Sequence, residues 1–173
     1  VYTNVQNYEA VLGKIYASMT ATGQESSGVD YASNHGENYM RMFINLQEGP
    51  TDEMAYSWLT GDDMTNISFM KWGANDTWVS DMYYRIYYNI TLCNEFLRNC
   101  SDSKLSAFAS ADQQKLRRYK AEARFMRALF YTHALDLYRN IPFVTEADPI
   151  GSYVPPRYTP QQTFEFIEKE LKE

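Results

Sequence analysis

Between Ser110 and Tyr138 the apolar positions return every three or four residues, at Leu116, Tyr119, Ala123, Met126, Phe130, His133 and Leu137. That spacing places them on one face of an α-helix. Ser110 with Gln113 three residues on reads as a capping box, and no Pro or Gly interrupts the run before Pro142. At ~1.5 Å per residue such a rod is roughly 40 Å long. Phe125, Leu129 and Tyr131 widen its apolar surface, while Ala121, Ala128 and Ala134 leave room for close neighbours. A helix apolar on more than one side needs other helices to cover it.

The remaining pattern supplies them. Val5, Tyr8, Leu12, Ile15, Tyr16 and Met19 recur at helical spacing over residues 4–20, with Thr3 or Asn4 as the cap and Gly13 allowing a neighbour to approach closely. Residues 21–37 are rich in Gly, Ser and Asn and predict a loop that contains His35. The apolar run 38–46 fits either a short helix or an extended segment. From Gln47 to Thr77, Gly49-Pro50, Gly61-Asp62-Asp63, Gly73 and Asn75-Asp76 punctuate a long irregular loop. Loops of that length in a compact domain are usually functional or disordered, and the aromatic content here argues against disorder. Trp58, Trp72 and Trp78, the chain's three tryptophans, all fall within or beside it. Asp76 or Thr77 then caps a second long helix running to about Asn99. Residues 139–158 hold Pro142, Pro149, Pro155 and Pro156 and predict extended or looped chain. Thr159-Pro160-Gln161-Gln162 is a strong helix start, followed by Phe164, Ile167 and Leu171 on one face.

Lys120, Glu122-Ala123-Arg124-Phe125, Arg127-Ala128-Leu129, Tyr131, Tyr138 and Ile141-Pro142-Phe143-Val144 stand in the order and spacing of the SusD/RagB family pattern. Trp78, Tyr83, Ile86, Asn89 and Leu92 match that family's spacing on the preceding long helix. The chain therefore resembles the SusD/RagB proteins, nutrient-binding outer-membrane lipoproteins of Bacteroidetes. Where the family has a glycine after the tyrosine that ends the long helix, this sequence has Arg139, so the left-handed residue that stops the helix is expected at Asn140. The resemblance implies an all-α, tetratricopeptide-like arrangement of helix pairs, also expected to settle residues 38–46 as helix. No clean 34-residue repeat is visible in the sequence itself. It further implies that residues 1–173 are the N-terminal helical domain of a longer chain, tethered to the cell face of the outer membrane through a lipid anchor outside this sequence. A chain that starts in mid-pattern and ends within an apparent helix fits that expectation.

Composition changes the picture in two places. Aromatic residues make up 16% of the chain, including 15 Tyr, a surplus that suits both interhelix packing and sugar-stacking surfaces. The net charge of −6 argues against a nucleic-acid partner. Seven of the 16 basic residues do lie between Lys104 and Arg127, but on a helix that also carries Asp112 and Glu122 they read as a solvated face. Cys93 and Cys100, seven apart, would be about 10 Å apart if both lie on one helix, beyond disulfide reach. Without a CxxC or a histidine pair they read as small buried apolar side chains rather than zinc ligands. No segment reads as a transmembrane span or a signal peptide.

A search for catalytic groups is mostly negative: the chain has no G-x-S-x-G, no phosphate-binding glycine loop and no H-E-x-x-H. His133 reads as a buried, satisfied imidazole, Asp62-Asp63 as a turn rather than a glycosidase pair, and Asn89 as a hydrogen-bonding link between helices. No cofactor is implied. Sugars offer C–H faces that stack on aromatic rings and hydroxyls that need polar partners, and the 52–78 stretch holds both. Asp52, Trp58, Trp72, Asn75 and Asp76 are the candidate glycan contacts, against the plainer reading that the tryptophans, Trp78 above all, anchor the loop in the core. By resemblance the partners are an oligo- or polysaccharide and a SusC-like TonB-dependent transporter that the protein would cap without catalysis. The alternative is a helical-repeat adaptor that takes a peptide or protein in a groove.

Overall fold

In a computed structural model, which describes residues 2–23, 38–57, 64–151 and 154–172, the order of elements is all helical apart from one short ladder. The helices are α1 (Val5–Ala17), α2 (Tyr39–Glu48), α3 (Met64–Ser68), α4 (Thr77–Arg98), α5 (Asp102–Leu105), α6 (Ser110–Tyr138) and α7 (Pro160–Lys172). Between α6 and α7, β1 (Ile141–Pro142) pairs antiparallel with β2 (Arg157–Tyr158), Ile141 opposite Tyr158. The all-α expectation is met. The undecided run at 38–46 is helix, capped by Asn38, whose Oδ1 accepts the Arg41 N–H at 2.9 Å. The predicted long loop contains α3, a helix anchored by buried Met64 and Ile67.

Chain contacts divide the molecule into two compact units, one of residues 1–15 with 89–173 and the other of residues 16–88. In the first, α6 is the central rod. Leu116, Ala123, Met126 and Phe130 on the predicted face are buried, while Tyr119, His133 and Leu137 are half-buried. Burial holds the His133 imidazole below its ordinary pKa, only partly offset by the charge of Asp136. Phe125, expected to widen the buried surface, is exposed. Space beside Gly13 is open among the described residues, so no close neighbour explains that glycine. Cys93 and Cys100 are free thiols, both buried, and burial pushes each up to about 12.

The reading of the basic run as one solvated face fails at its end. Arg127 is buried, and its guanidinium is a hub. Nε and Nη2 donate to Oε2 of Glu170 at 2.9 and 2.7 Å, and Nη1 donates to Oδ1 of Asn94 at 2.8 Å and to Oε2 of Glu146. Arg124 donates from Nε and Nη2 to the other oxygen of Glu170 at 3.2 and 3.1 Å. One turn on, the Tyr131 hydroxyl donates to the Val144 carbonyl at 2.6 Å and accepts the Val144 N–H at 3.0 Å. Phe143 stacks on Tyr158 with ring centroids 3.9 Å apart and meets Phe166 edge-on. Arg127, Ala128, Tyr131 and Ile141 to Val144, read as a sequence signature, are thus the parts that clasp α4, α6, α7 and the intervening ladder together.

The two ends of this clasp depart from expectation in instructive ways. Ala109 occupies the cap position of α6 and makes no side-chain bond, so Ser110 is the first helical residue and not a capping-box partner. Gln113 instead donates to the Phe108 carbonyl at 2.8 Å. At the C-terminus, Arg139 itself has φ 61° and ψ −74°, so the positive-φ residue that ends the helix is Arg139 and not Asn140. The capping box at Thr159 and Gln162 does form, with Oε1 of Gln162 accepting the Thr159 N–H at 2.9 Å and Thr159 Oγ1 accepting the Gln162 N–H at 3.3 Å. In α7 Thr163, Ile167 and Glu170 are buried while Phe164 and Leu171 are exposed, so the single apolar face read from sequence splits in two.

Asn89, expected to bond across helices, is fully buried, and among the described residues neither of its amide atoms is hydrogen-bonded.

Two expected outcomes follow from this packing. Arg139→Gly should stabilise the protein by up to about 1 kcal/mol in urea unfolding, because a positive φ costs a side-chain-bearing residue more than glycine loses in chain entropy. Arg127→Met should destabilise by about 3 kcal/mol, because Oε2 of buried Glu170 loses both its donors while only Arg124, on Oε1, still pairs with that carboxylate, and combining it with Glu170→Leu should recover part of that loss in the same measurement.

Candidate functional site

The candidate contacts lie in the unit of residues 16–88, where the chain leaves α3 and enters α4. Helix α3 stops in a Schellman arrangement. The Lys71 N–H donates to the Asn66 carbonyl at 2.7 Å, the Met70 N–H to the Ile67 carbonyl at 3.1 Å, and Met70 sits at φ 53°. Glycine is the usual occupant of that position, so its methionine side chain is carried outward.

At the other end, Asp76 closes the excursion. Its N–H donates to the Gly73 carbonyl at 3.0 Å, its Oδ1 accepts the N–H groups of Trp78 and Val79 at 3.1 and 3.5 Å, and its Oδ2 accepts from the Asn66 side-chain amide at 3.3 Å. Asn66 therefore ties both ends of the turn, through its carbonyl to Lys71 and through its amide to Asp76.

What this pinned turn presents is apolar and solvent-facing. Phe69 is 56% exposed, Met70 68% and Trp72 45%. The Lys71 ammonium stands 5.9 Å from the centre of the Phe69 ring. Asn75 is exposed at the base. An exposed indole beside amide and ammonium donors can stack on one face of a ring-shaped ligand and hydrogen-bond its rim.

The five candidate residues divide accordingly. Trp72, Asn75 and Asp76 come together in this one turn, but Asp76 is a buried helix cap whose oxygens are engaged by the protein itself. Asp52 is exposed in a separate turn after α2, where the Thr51 N–H and hydroxyl both donate to the Glu48 carbonyl. The base of that turn abuts α3, since a Cβ on Gly49 would come within 2.9 Å of Ile67 Cγ2. Trp58 lies outside the described residues, as do Asp62, Asp63 and His35. Trp78 is fully buried, as the plainer reading had it. Met70 was not legible as a surface residue, because nothing in sequence marks a methionine that takes a glycine's place in a helix stop.

Among the described residues no group of three or more His, Cys, Asp or Glu side chains is arranged to hold a metal ion, and no helix is long and apolar enough to cross a membrane.

Comparison with known proteins places these elements in context. No family model matches the chain. It is 28% identical over 169 residues to the starch-binding protein SusD of Bacteroides thetaiotaomicron, an alignment covering 95% of this chain and 29% of that protein. Among solved structures it is similar to a surface glycan-binding protein A from Bacteroides uniformis, with a TM-score of 0.71 and 17% identity over 98% of this chain and 34% of that one. A SusD superfamily protein from Bacteroides vulgatus gives a TM-score of 0.68 at 12% identity, covering 99% of this chain and 34% of that one. A SusD-like carbohydrate-binding protein from Bacteroides fragilis gives 0.61 at 19%, covering 98% and 30%. The chain thus spans about a third or less of the length of these relatives. The all-α, tetratricopeptide-like helical fold expected from the sequence is the fold found.

If Asp76 serves the helix rather than a ligand, Asp76→Ala should cost about 1–2 kcal/mol of stability in chemical denaturation, while Asp76→Asn, which keeps a cap acceptor, should cost much less.

Proposed function

Starting from a chain that is SusD-like in sequence and in fold, we propose that it forms the helical part of a non-catalytic glycan-binding protein, and that the Phe69–Trp72 turn is a point of contact with the glycan. The observation that carries this reading is an indole held open to solvent on a turn fixed at both ends. Exposing Trp72 and Phe69 forgoes the burial free energy such rings usually gain, roughly 25 cal/mol per Å² of apolar surface. A rigid base offsets part of the ordering entropy that ligand binding would otherwise cost. Trp72 would stack on the sugar ring, Asn75 and Asp52 would meet hydroxyls, and Asp76 would act only by positioning the turn. Trp58 belongs to the same proposal on its sequence position.

By analogy with SusD-like relatives, the protein would be anchored by lipid on the outer face of the outer membrane and would cap a SusC-like TonB-dependent transporter. Capture would then fall to this protein and uptake to the transporter.

The test is retention of the full-length protein on immobilised glycans. Trp72→Ala should weaken retention roughly tenfold, an amount typical of one aromatic stacking contact, without a matching loss of stability. Trp58→Ala should act in the same direction. Retention unchanged in both variants on every glycan that holds the native protein would remove the turn from the binding surface.

A further inference from the structure

The unit of residues 1–15 and 89–173 contains a cleft of about 310 Å³ between α6, α7 and the segment after β1, at the lower end of the range of small-molecule sites. Its charged lining is Lys120, Arg124, Arg127, Glu146, Lys169 and Glu170, four cations against two carboxylates, or a formal +2. This is a local excess in a chain whose net charge is −6. The placement follows from helical spacing, since 120, 124 and 127 recur on one face of α6 and 166, 169 and 170 lie within about one turn of α7.

The carboxylates are already committed. Both oxygens of Glu170 accept from Arg124 and Arg127, and Oε2 of Glu146 accepts from Arg127. Lys120 and Lys169 form no ion pair among the described residues, so the excess charge resides on two ammonium groups at the cleft. The Glu146 side chain remains 38% exposed. Burial pushes its carboxyl up, but the hydrogen bond and charge of Arg127 outweigh that and hold it below the usual carboxylate range, ionised at neutral pH. The formal +2 attracts an anion, and the lone pairs that Arg127 leaves free on Glu146 suit one that also carries hydroxyl donors. Thr145 also lines the wall, its hydroxyl donating to Oδ2 of Asp148 at 3.2 Å and accepting the Ala147 N–H at 3.3 Å.

We propose that this cleft binds a hydroxylated monocarboxylate of the size of one hexuronate residue, its carboxylate received by Lys120 and Lys169 and its hydroxyls by Glu146. The site is separate from the Trp72 turn and depends on the glycan reading only for where the ligand would come from. A free hydroxy acid and the uronate unit of a glycan share the same chemistry.

Titrating the full-length protein with galacturonate, galactose, acetate and inorganic phosphate, followed by calorimetry and by the amide resonances of Thr145, Glu146 and Ala147, separates the possibilities. Galacturonate should bind, weaken as salt is raised, and shift those three amides, while galactose should not, and acetate and phosphate should bind more weakly. Lys120→Gln and Lys169→Gln should each weaken galacturonate about tenfold, as for loss of one charge-assisted hydrogen bond, with unfolding curves unchanged. Trp72→Ala should leave this binding intact, so a failure of the turn as a glycan contact would be read separately. A uronate-bearing oligosaccharide binding more tightly than free galacturonate would assign the ligand to a glycan, and the reverse would assign it to a free acid. No heat or shift with galacturonate, tighter binding of phosphate, or indifference to both lysine substitutions would overturn the proposal.

Discussion

Everything in the unit built around α6 depends on one buried guanidinium. A lone charge in a protein interior is strongly unfavourable, and it is tolerated only when paired and hydrogen-bonded around its rim. Arg127 meets that condition with three donor nitrogens bonded to Glu170, Asn94 and Glu146, one partner each from α7, α4 and the connecting segment. Its planar fork sets two N–H groups on Oε2 of Glu170 while Nη1 reaches Asn94 and Glu146, a fixed spread of donors that the single ammonium of lysine lacks. Such a hub adds little net stability compared with an apolar core, but it rejects wrong arrangements, because any misplacement of α7 strands a charge. Tyr131, one turn on, fixes Val144 from both its N–H and its carbonyl, so the same face of α6 sets where the chain goes after the helix.

That arrangement explains why part of the molecule was readable from sequence. The long helix was legible because apolar spacing over 29 residues leaves little choice, and its observed bounds, Ser110–Tyr138, are those the pattern gave. The family-like residues were legible as a pattern, but their physical role was not. Arg127 sits in a run of basic residues, and spacing alone cannot distinguish a buried arginine from its solvated neighbours. The discriminating partner, Glu170, is 43 positions away on another helix. Capping was legible at Thr159, where cap, proline and glutamine agree, and illegible at Ser110, where Ala109 holds the cap position without a side-chain acceptor.

The candidate surface was legible in outline only. Clustering of tryptophans marked the region, yet Trp72 and Trp78, six residues apart, end up on opposite sides of the burial divide. The cause is Asp76, whose carboxylate starts α4 between them. On its helical side the indole is core, and on its loop side the indole is surface. Asp76 and Asn75, adjacent and chemically similar, part for the same reason, one drawn into the cap and the other left to solvent.

The two thiols carry a chemical consequence. Thiolate is the species that attacks disulfides, and at neutral pH a sulfur shifted to about 12 contributes almost none of it. Once folded, both sulfurs are therefore poor nucleophiles toward a disulfide. Before the fold closes, the same two sulfurs, Cys93 within α4 and Cys100 two residues beyond its end, are unprotected and free to react. Burial is thus what keeps the two thiols unreactive.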